Sequence, residues 1–151
     1  MLLLMKRIAT FLLIALPVVA TAADAPENVV KYRQAEMKAL AAHMSAISLV
    51  VKGSVASRRG LAADADAIHG VSRSLAALFP AGSGPDKTGT DAKPEIWSRG
   101  KAFQTDADAL ERESARLVQL ARSDDRKAFA AQFARVGAAC SDCHNAFRVR
   151  D

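Results

Sequence analysis

The segment from residue 129 to residue 147 reads FAAQFARVGAACSDCHNAF, and it carries both the periodicity of the fold and the chemistry of the chain. Its apolar residues and cysteines recur at alternating intervals of four and three, as on one face of an α-helix. They are Phe129, Phe133, Val136, Cys140, Cys143 and Phe147. The spacing predicts a helix, with no strand before it.

Two cysteines and a histidine lie near the end of this predicted helix, at Cys140, Cys143 and His144. This is the pattern by which a c-type haem is attached: each thiol adds to a vinyl group, and the imidazole becomes an axial ligand of the iron. On a helix the three side chains project from nearly the same face. We therefore expect one covalently attached haem c per chain.

Two other chemistries use closely spaced cysteines. A redox-active dithiol of the thioredoxin kind follows a strand in a βαβ pattern, which is missing here. A closed structural zinc site needs four ligands, and beyond the motif the chain offers only His43 and His69, with no further cysteine. Both alternatives fit the sequence less well than haem attachment.

Residues 1–22 have the features of a secretory signal peptide. Two basic residues precede an apolar stretch of thirteen residues that ends at Ala20, and Ala20-Thr21-Ala22 matches the small-x-small cleavage pattern. The stretch is shorter than the roughly twenty residues of a membrane span. We therefore expect export to the periplasm, which suits haem attachment, and a mature domain at 23–151 that is not held in a membrane.

The composition favours one all-α domain. The 151 residues are half hydrophobic, but only eight are aromatic and alanine is abundant, which favours helices over sheets. The chain has 21 basic and 16 acidic residues, so removal of the two basic residues of the leader leaves a net charge of +3. This charge is too small and too scattered to indicate nucleic-acid binding.

Three more stripes with helical spacing precede the C-terminal one. They predict a first helix from about Glu27 to Lys52, a second that ends at Pro80, and a third that begins at Pro94. The inward positions are Val30, Arg33, Met37, Leu40, Met44, Ile47 and Val51; Leu61, Ala65, Ile68, Ser72, Leu75 and Phe79; and Ile96, Trp97, Phe103, Ala107, Leu110, Ser114, Leu117 and Ala121.

With a fourth helix from about Arg126 to Val149, these stripes predict an antiparallel four-helix bundle. Residues 80–94 contain three prolines and three glycines among polar residues and are expected to form a loop. The loop is longer than a plain helix connection needs, and it is either a functional lid beside the cofactor or an inert surface excursion.

The sequence resembles the class II c-type cytochromes, the cytochrome c′ family and its low-spin relatives, over essentially the whole mature chain. Four markers in order carry the resemblance: Arg33-Gln34-Ala35-Glu36-Met37-Lys38, Leu78-Phe79-Pro80-Ala81-Gly82-Ser83, Pro94-Glu95-Ile96-Trp97, and the Cys140 to His144 motif. The resemblance implies a haem inside the bundle, between the C-terminal histidine and residues of the first helix.

The resemblance also implies roles for single residues. His144 is the proximal ligand, and Cys140 and Cys143 form the thioethers. Met37 matches the distal position, which holds a coordinating methionine in low-spin members and a non-coordinating apolar residue, sometimes also methionine, in cytochromes c′. Met37 is alternatively ordinary core packing, and Met44, two turns further on, is a weaker candidate for the ligand.

Three other residues are implied near the haem. Arg33 matches an arginine beside the propionates, which would supply the anionic partner that a buried arginine needs; alternatively it is a snorkelling surface side chain. Arg148 matches a basic residue beside the proximal histidine; alternatively it is only a C-terminal cation that interacts favourably with the helix dipole. Trp97 lies against the haem edge or only in the core.

Two functions follow from the two states of the iron. A six-coordinate iron with His144 and Met37 fits an electron carrier that serves redox partner proteins, because a thioether ligand favours the reduced state. A five-coordinate iron fits a protein that binds NO or CO. An enzyme is not expected, since no acid/base pair lies at a suitable spacing from the ligand.

A homodimer is also suggested by the resemblance, because family members often dimerise through their first two helices. Small residues flank the first stripe at Ala41, Ala42, Ser45 and Ser48. They would allow close approach of a second copy, or they face solvent.

Overall fold

The computed structural model describes residues 25–86 and 89–149, so the predicted signal peptide and its cleavage site lie outside the described residues. Helices account for the regular structure of this part of the chain, and no strand is formed there. The elements are α1 (Pro26–Val51), α2 (Leu61–Ser72), a 3-10 helix (Leu75–Leu78), α3 (Glu95–Ser98), α4 (Gly100–Ala121) and α5 (Arg126–Phe147). None of these helices is long and apolar enough to cross a membrane.

The four long helices are antiparallel to their neighbours in the order α1, α2, α4 and α5. Side-chain contacts give the directions, because later residues of one helix meet earlier residues of the next. The pairs are Arg33 with Leu78, His43 with Asp64, His69 with Ser114, Phe79 with Phe103, Glu113 with Gln132, and Phe103 with Phe147. The predicted all-α antiparallel bundle is confirmed, and α1 runs opposite to α5.

The first and last helices lie close to their predicted ranges. Gly53 follows the end of α1 with a φ of 76°, a conformation that glycine adopts without strain. Asp125 caps α5, because its carboxylate accepts a hydrogen bond from the Ala128 amide. The prediction that the last helix reaches Val149 is wrong: α5 ends at Phe147, where the chain becomes extended.

The second predicted helix is divided, which the stripe did not show. The α-helix ends at Ser72, whose hydroxyl donates to the Ile68 carbonyl, and residues 75–78 continue as a 3-10 helix. Serine side chains compete with the backbone for such carbonyls and weaken a helix. Pro80 also disfavours helical geometry in the residue before it, so the last turn tightens instead of continuing.

The third predicted helix is also divided. A single turn, α3, ends at Ser98, and Arg99 leaves helical geometry with φ −117° and ψ 40° before α4 begins at Gly100. Glycine is a poor helix former, so the chain bends there at little cost. The bend allows both Ile96 on α3 and Phe103 on α4 to be buried in one small cluster.

Residues 79–86 and 89–94 form an irregular segment that we call the strap. Its end pairs with the chain that follows α5: the Lys93 amide donates to the Phe147 carbonyl (2.9 Å) and the Val149 amide to the Asp91 carbonyl (2.7 Å). Ala92 and Arg148 form an isolated antiparallel bridge. The predicted loop is therefore fastened to the end of the last helix.

The interior consists of two apolar clusters. The larger one joins α1, α2, α4 and α5 around fully buried residues such as Ile47, Leu117 and Val136. The smaller one consists of Ala92, Ile96, Phe103 and Phe147, with Phe79, Trp97 and Cys143 packed against it. The stripes predicted nearly all of these positions. The prediction that Val51 points inward is wrong, because this residue is 37% exposed at the end of α1.

Candidate haem site

The two cysteines lie where the two apolar clusters meet on α5. Cys140 packs against the larger cluster and Cys143 against the smaller one, and neither is in a disulfide. Burial raises the pKa of the Cys140 thiol. Burial, with smaller contributions from Asp106 and Cys140, raises the pKa of Cys143 to about 12. Both thiols are therefore neutral near pH 7 and available on one helix face.

His144 follows on the same helical turn and is the most exposed of Cys140, Cys143 and His144. The protein atoms around its ring desolvate it enough to lower its pKa, and the charge of Arg148 lowers it further. Among the described residues, neither ring nitrogen has a hydrogen-bond partner. A neutral imidazole with a free lone pair is the form that binds a metal.

The two methionines of α1 differ in their position relative to α5. The terminal methyl group of Met44 lies 3.9 Å from the point where a Cβ on Gly137 would stand. Because α1 and α5 are antiparallel, seven residues back along α1 correspond to seven residues forward along α5. This offset of about 10.5 Å brings Met37 level with His144, and it leaves Met44 two turns away.

Helices α1 and α5 approach each other less closely than the other neighbouring pairs of the bundle. Among the described residues, close packing joins α1 to α2, α2 to α4 and α4 to α5 more than it joins α1 to α5. Met37 and both motif cysteines are half-buried here. Two neutral thiols and an unpaired imidazole on one helix, with a thioether on the facing helix, form the donor set of a covalently attached haem. The residues present therefore fit a haem c.

Arg33 is buried, with 2% of its surface exposed, and burial lowers its pKa. It donates to the Leu78 carbonyl (3.3 Å), the Ser83 hydroxyl (3.0 Å) and carbonyl (3.1 Å), and the Thr90 hydroxyl (3.1 Å). Its guanidinium also lies over the Phe79 ring, 4.5 Å from the centroid. These acceptors are neutral oxygens of the chain, so a propionate as the anionic partner of Arg33 stays a prediction.

The other two predicted residues lie around the end of α5. Arg148 is the C-terminal capping residue of that helix, with its amide bonded to the His144 carbonyl and its guanidinium 3.1 Å from Asp91. Trp97 lies on α3, where its indole N–H donates to the carbonyls of Phe79 and Pro80 at 3.1 Å. Trp97 thus braces the start of the strap.

Sequence reasoning missed the residues that connect these parts. Ser83 and Thr90 accept from Arg33, and three phenylalanines form an edge-to-face series, Phe79 to Phe103 at 4.8 Å and Phe103 to Phe147 at 5.3 Å. The phenylalanines were visible as apolar stripe positions. The serine and threonine lie in a segment without periodicity; Ser83 belongs to a marker of the family resemblance, but no sequence signal paired it or Thr90 with Arg33.

The described residues contain no group of three or more His, Cys, Asp or Glu side chains placed to hold a metal ion. The two remaining histidines are engaged elsewhere. His43 lies 2.9 Å from Asp64, and His69 lies 3.2 Å from the Ser114 hydroxyl. Both contacts join neighbouring helices of the bundle, away from the motif.

Comparisons with known proteins agree with this site. Residues 28–148 match the family model described as cytochrome C′. Cytochrome c′ from Alcaligenes xylosoxydans xylosoxydans is 37% identical over 83% of this chain and 96% of its own length, and that from Pararhodospirillum photometricum is 36% identical over 82% and 98%.

A solved structure is also similar. The nitric oxide complex of a variant of cytochrome c prime from Alcaligenes xylosoxidans has a TM-score of 0.77 and 31% identity, and it covers 86% of this chain and 100% of its own. The family-model match, residues 28–148, contains most of α1, the strap and the whole Cys140 to His144 motif. The chain therefore belongs to the cytochrome c′ family, whose members are monohaem c-type cytochromes.

Proposed function

We propose that this protein is a periplasmic one-electron carrier in which Cys140 and Cys143 attach one haem c, with His144 and Met37 as the axial ligands. The observation that supports the proposal is the register of the two facing helices: the Met44 methyl group lies beside Gly137, and Met37 and His144 follow seven residues along each helix from there. The half-buried Met37 thioether would then be available as the second axial ligand.

The haem supplies a one-electron couple, and a thioether ligand raises its potential by favouring the reduced iron. The protein supplies rigidity. The side chains of Ile47, Leu117 and Val136 in the bundle core are fully buried. Helix α5 holds both thioether positions and the imidazole within two turns. Little rearrangement is then needed when the electron arrives or leaves, which suits exchange with redox partner proteins.

Export is the part of this proposal that rests on the sequence. The leader at residues 1–22 and the Cys140 to His144 motif are independent features, and both belong to a protein matured outside the bacterial cytoplasm. The mass of the mature holoprotein tests both, since it gives the cleavage position and shows whether one haem is covalently bound.

Visible absorption spectra of the purified protein in both oxidation states test the axial ligands. The proposal predicts low-spin spectra in the ferric and the ferrous protein, because two strong axial ligands are present. A high-spin ferrous spectrum would contradict the assignment of Met37 while leaving the haem and its attachment in place.

The second candidate is a five-coordinate protein that binds NO or CO. It is favoured by the nitric oxide complex of a cytochrome c prime variant among the similar structures, and by the apolar neighbours of Met37. In this case Met37 is a wall of the distal side and does not bind the iron. Rapid CO binding to a high-spin ferrous protein distinguishes it from the electron carrier.

An enzymatic role is not proposed. The inward face of α1 near Met37 is apolar except for Arg33, whose guanidinium donates to the strap and its preceding residue. Peroxide and O₂ chemistry need polar donors on the distal side. An absence of peroxidase turnover by the holoprotein is the expected result.

A homodimer remains part of the proposal. Ala41, Ala42 and Ser45 are exposed on α1, and Leu49 on the same helix is 48% exposed. A second copy packed along this face would cover them. Sedimentation of the wild-type protein beside an Ala42→Glu variant tests this: a dimer that the variant dissociates supports it, and two identical monomers contradict it.

A further inference from the structure

Most N–H donors of the Arg33 guanidinium form hydrogen bonds with neutral oxygens of the strap and of Leu78, the residue before it. An arginine has five N–H donors, and in Arg33 the two terminal nitrogens make four hydrogen bonds. The acceptors come from sequence positions 45 to 57 residues away. One side chain thus holds together chain segments that no local structure joins.

The acceptors are themselves fixed. Ser83 has 1% of its surface exposed, and its hydroxyl proton is donated to the Pro80 carbonyl at 2.9 Å, which turns its lone pairs toward Arg33. The Thr90 hydroxyl accepts from the Ala92 amide at 3.3 Å as well as from Arg33. The arginine is the centre of a network in which removal of one member leaves buried polar groups unpaired.

The far end of the strap is fastened to the helix that carries His144. Its amide and carbonyl groups bond to the chain at Phe147 and Val149, and the Lys93 ammonium donates to the Asn145 carbonyl at 3.2 Å. Arg33 lies one turn before Met37, and Arg148 lies one turn after His144. The strap therefore links the two helices at the level of both axial positions.

We propose that Arg33 is a positioning residue that clamps the strap to α1 and thereby fixes Met37 relative to His144. The clamp acts whether Met37 binds the iron or only covers its distal side. In both cases a loose strap lets α1 and the end of α5 separate, which exposes the distal side to small ligands. Within the part of the chain that the structure describes, Nε–H is the one Arg33 donor without a partner, so contact with a propionate is secondary to the clamp.

The clamp is tested with Arg33→Lys and Thr90→Val in the haem-loaded protein, since lysine cannot form the fork and valine keeps the size of threonine. The two measurements are amide hydrogen exchange at Ser83 and Lys93 and the association rate of CO with the ferrous protein. For Arg33→Lys we expect both to increase about tenfold, the effect of losing a hydrogen bond to a charged group. Thr90→Val should shift both in the same direction by less.

The double variant should behave like Arg33→Lys alone, because the two groups act through one contact. Thr105→Val is the matched control: it removes an exposed threonine hydroxyl on α4 that, among residues 25–86 and 89–149, bonds only the Lys101 carbonyl, and it should change neither measurement. If the exchange and CO association rates of Thr90→Val stay at wild-type values and Arg33→Lys shifts only the reduction potential, the main role of Arg33 is contact with a propionate. That result would overturn the clamp. A wild-type protein without covalent haem would instead refute the proposed function.

Discussion

The two helices that face each other across the candidate haem site, α1 and α5, hold their functional residues in different ways. On α5 the thiols and the imidazole lie within five consecutive residues, and the helix alone brings them to one face. On α1, the proposed roles of Arg33 and Met37 depend on other segments. The strap determines the partners of Arg33, and the register against Gly137 determines the height of Met37.

This difference shows how attachment and coordination are encoded. The proposed attachment depends on a local motif. The opposite side of the iron depends on packing between distant elements, and it can change without any change in the motif. The following predictions test this division, from the largest effect to the smallest.

The largest effect is expected from removal of the α5 thiols. A protein with both Cys140→Ala and Cys143→Ala should carry no haem after denaturation, because no thioether remains, and a haem stain on a denaturing gel checks this. Each single variant should keep one thioether or lose the haem. A stable full-haem protein that lacks both cysteines would contradict the attachment.

Most of the fold was predictable because it is repetitive. Alternating intervals of three and four identified the buried faces of the long helices, and turn residues such as Gly53 and Asp125 marked their ends. The motif identified the cofactor because its chemistry requires those residue types at that spacing. These signals are local, so a single sequence displays them.

The remainder was not predictable because it depends on contacts between distant segments. The division of the second helix follows from the Ser72 hydroxyl and Pro80, and that of the third from the burial of Ile96 and Phe103 in one cluster. The partners of Arg33 are the clearest case. A buried charge predicts a partner, but the sequence does not show that Ser83 and Thr90 take that place.

The second prediction concerns the packing of α1. Ile47 is fully buried in the larger cluster, and Ile47→Ala should lower the free energy of unfolding by about 2–5 kcal/mol, the cost of a cavity. Urea denaturation measures the change. Val51→Ala on the same stripe is the control, because Val51 is exposed and should cost less than about 1 kcal/mol. Equal losses would show that the stripe itself, and not its packing, stabilises α1.

The smallest effect is expected where the strap meets α5 through an exposed ion pair. Asp91→Asn removes the partner of Arg148, and it should lower the free energy of unfolding by less than about 1 kcal/mol, decreasing with salt, because both side chains are about half exposed. Asp66→Asn is the control, since it breaks an equally exposed pair with Arg122 away from the strap. A loss above about 2 kcal/mol for Asp91→Asn alone would contradict the weak, solvent-screened contribution expected of this pair.

The ferrous absorption spectra of Met37→Ala and Met44→Ala, measured beside the wild type, test the central claim most directly. Both variants shorten a half-buried methionine of α1, but only Met37 lies level with His144. We predict a low-spin wild type, a high-spin Met37→Ala protein and a Met44→Ala protein that stays low-spin. A Met37→Ala protein that keeps the wild-type low-spin spectrum would contradict the claim that α1 places Met37 opposite the α5 imidazole as a ligand.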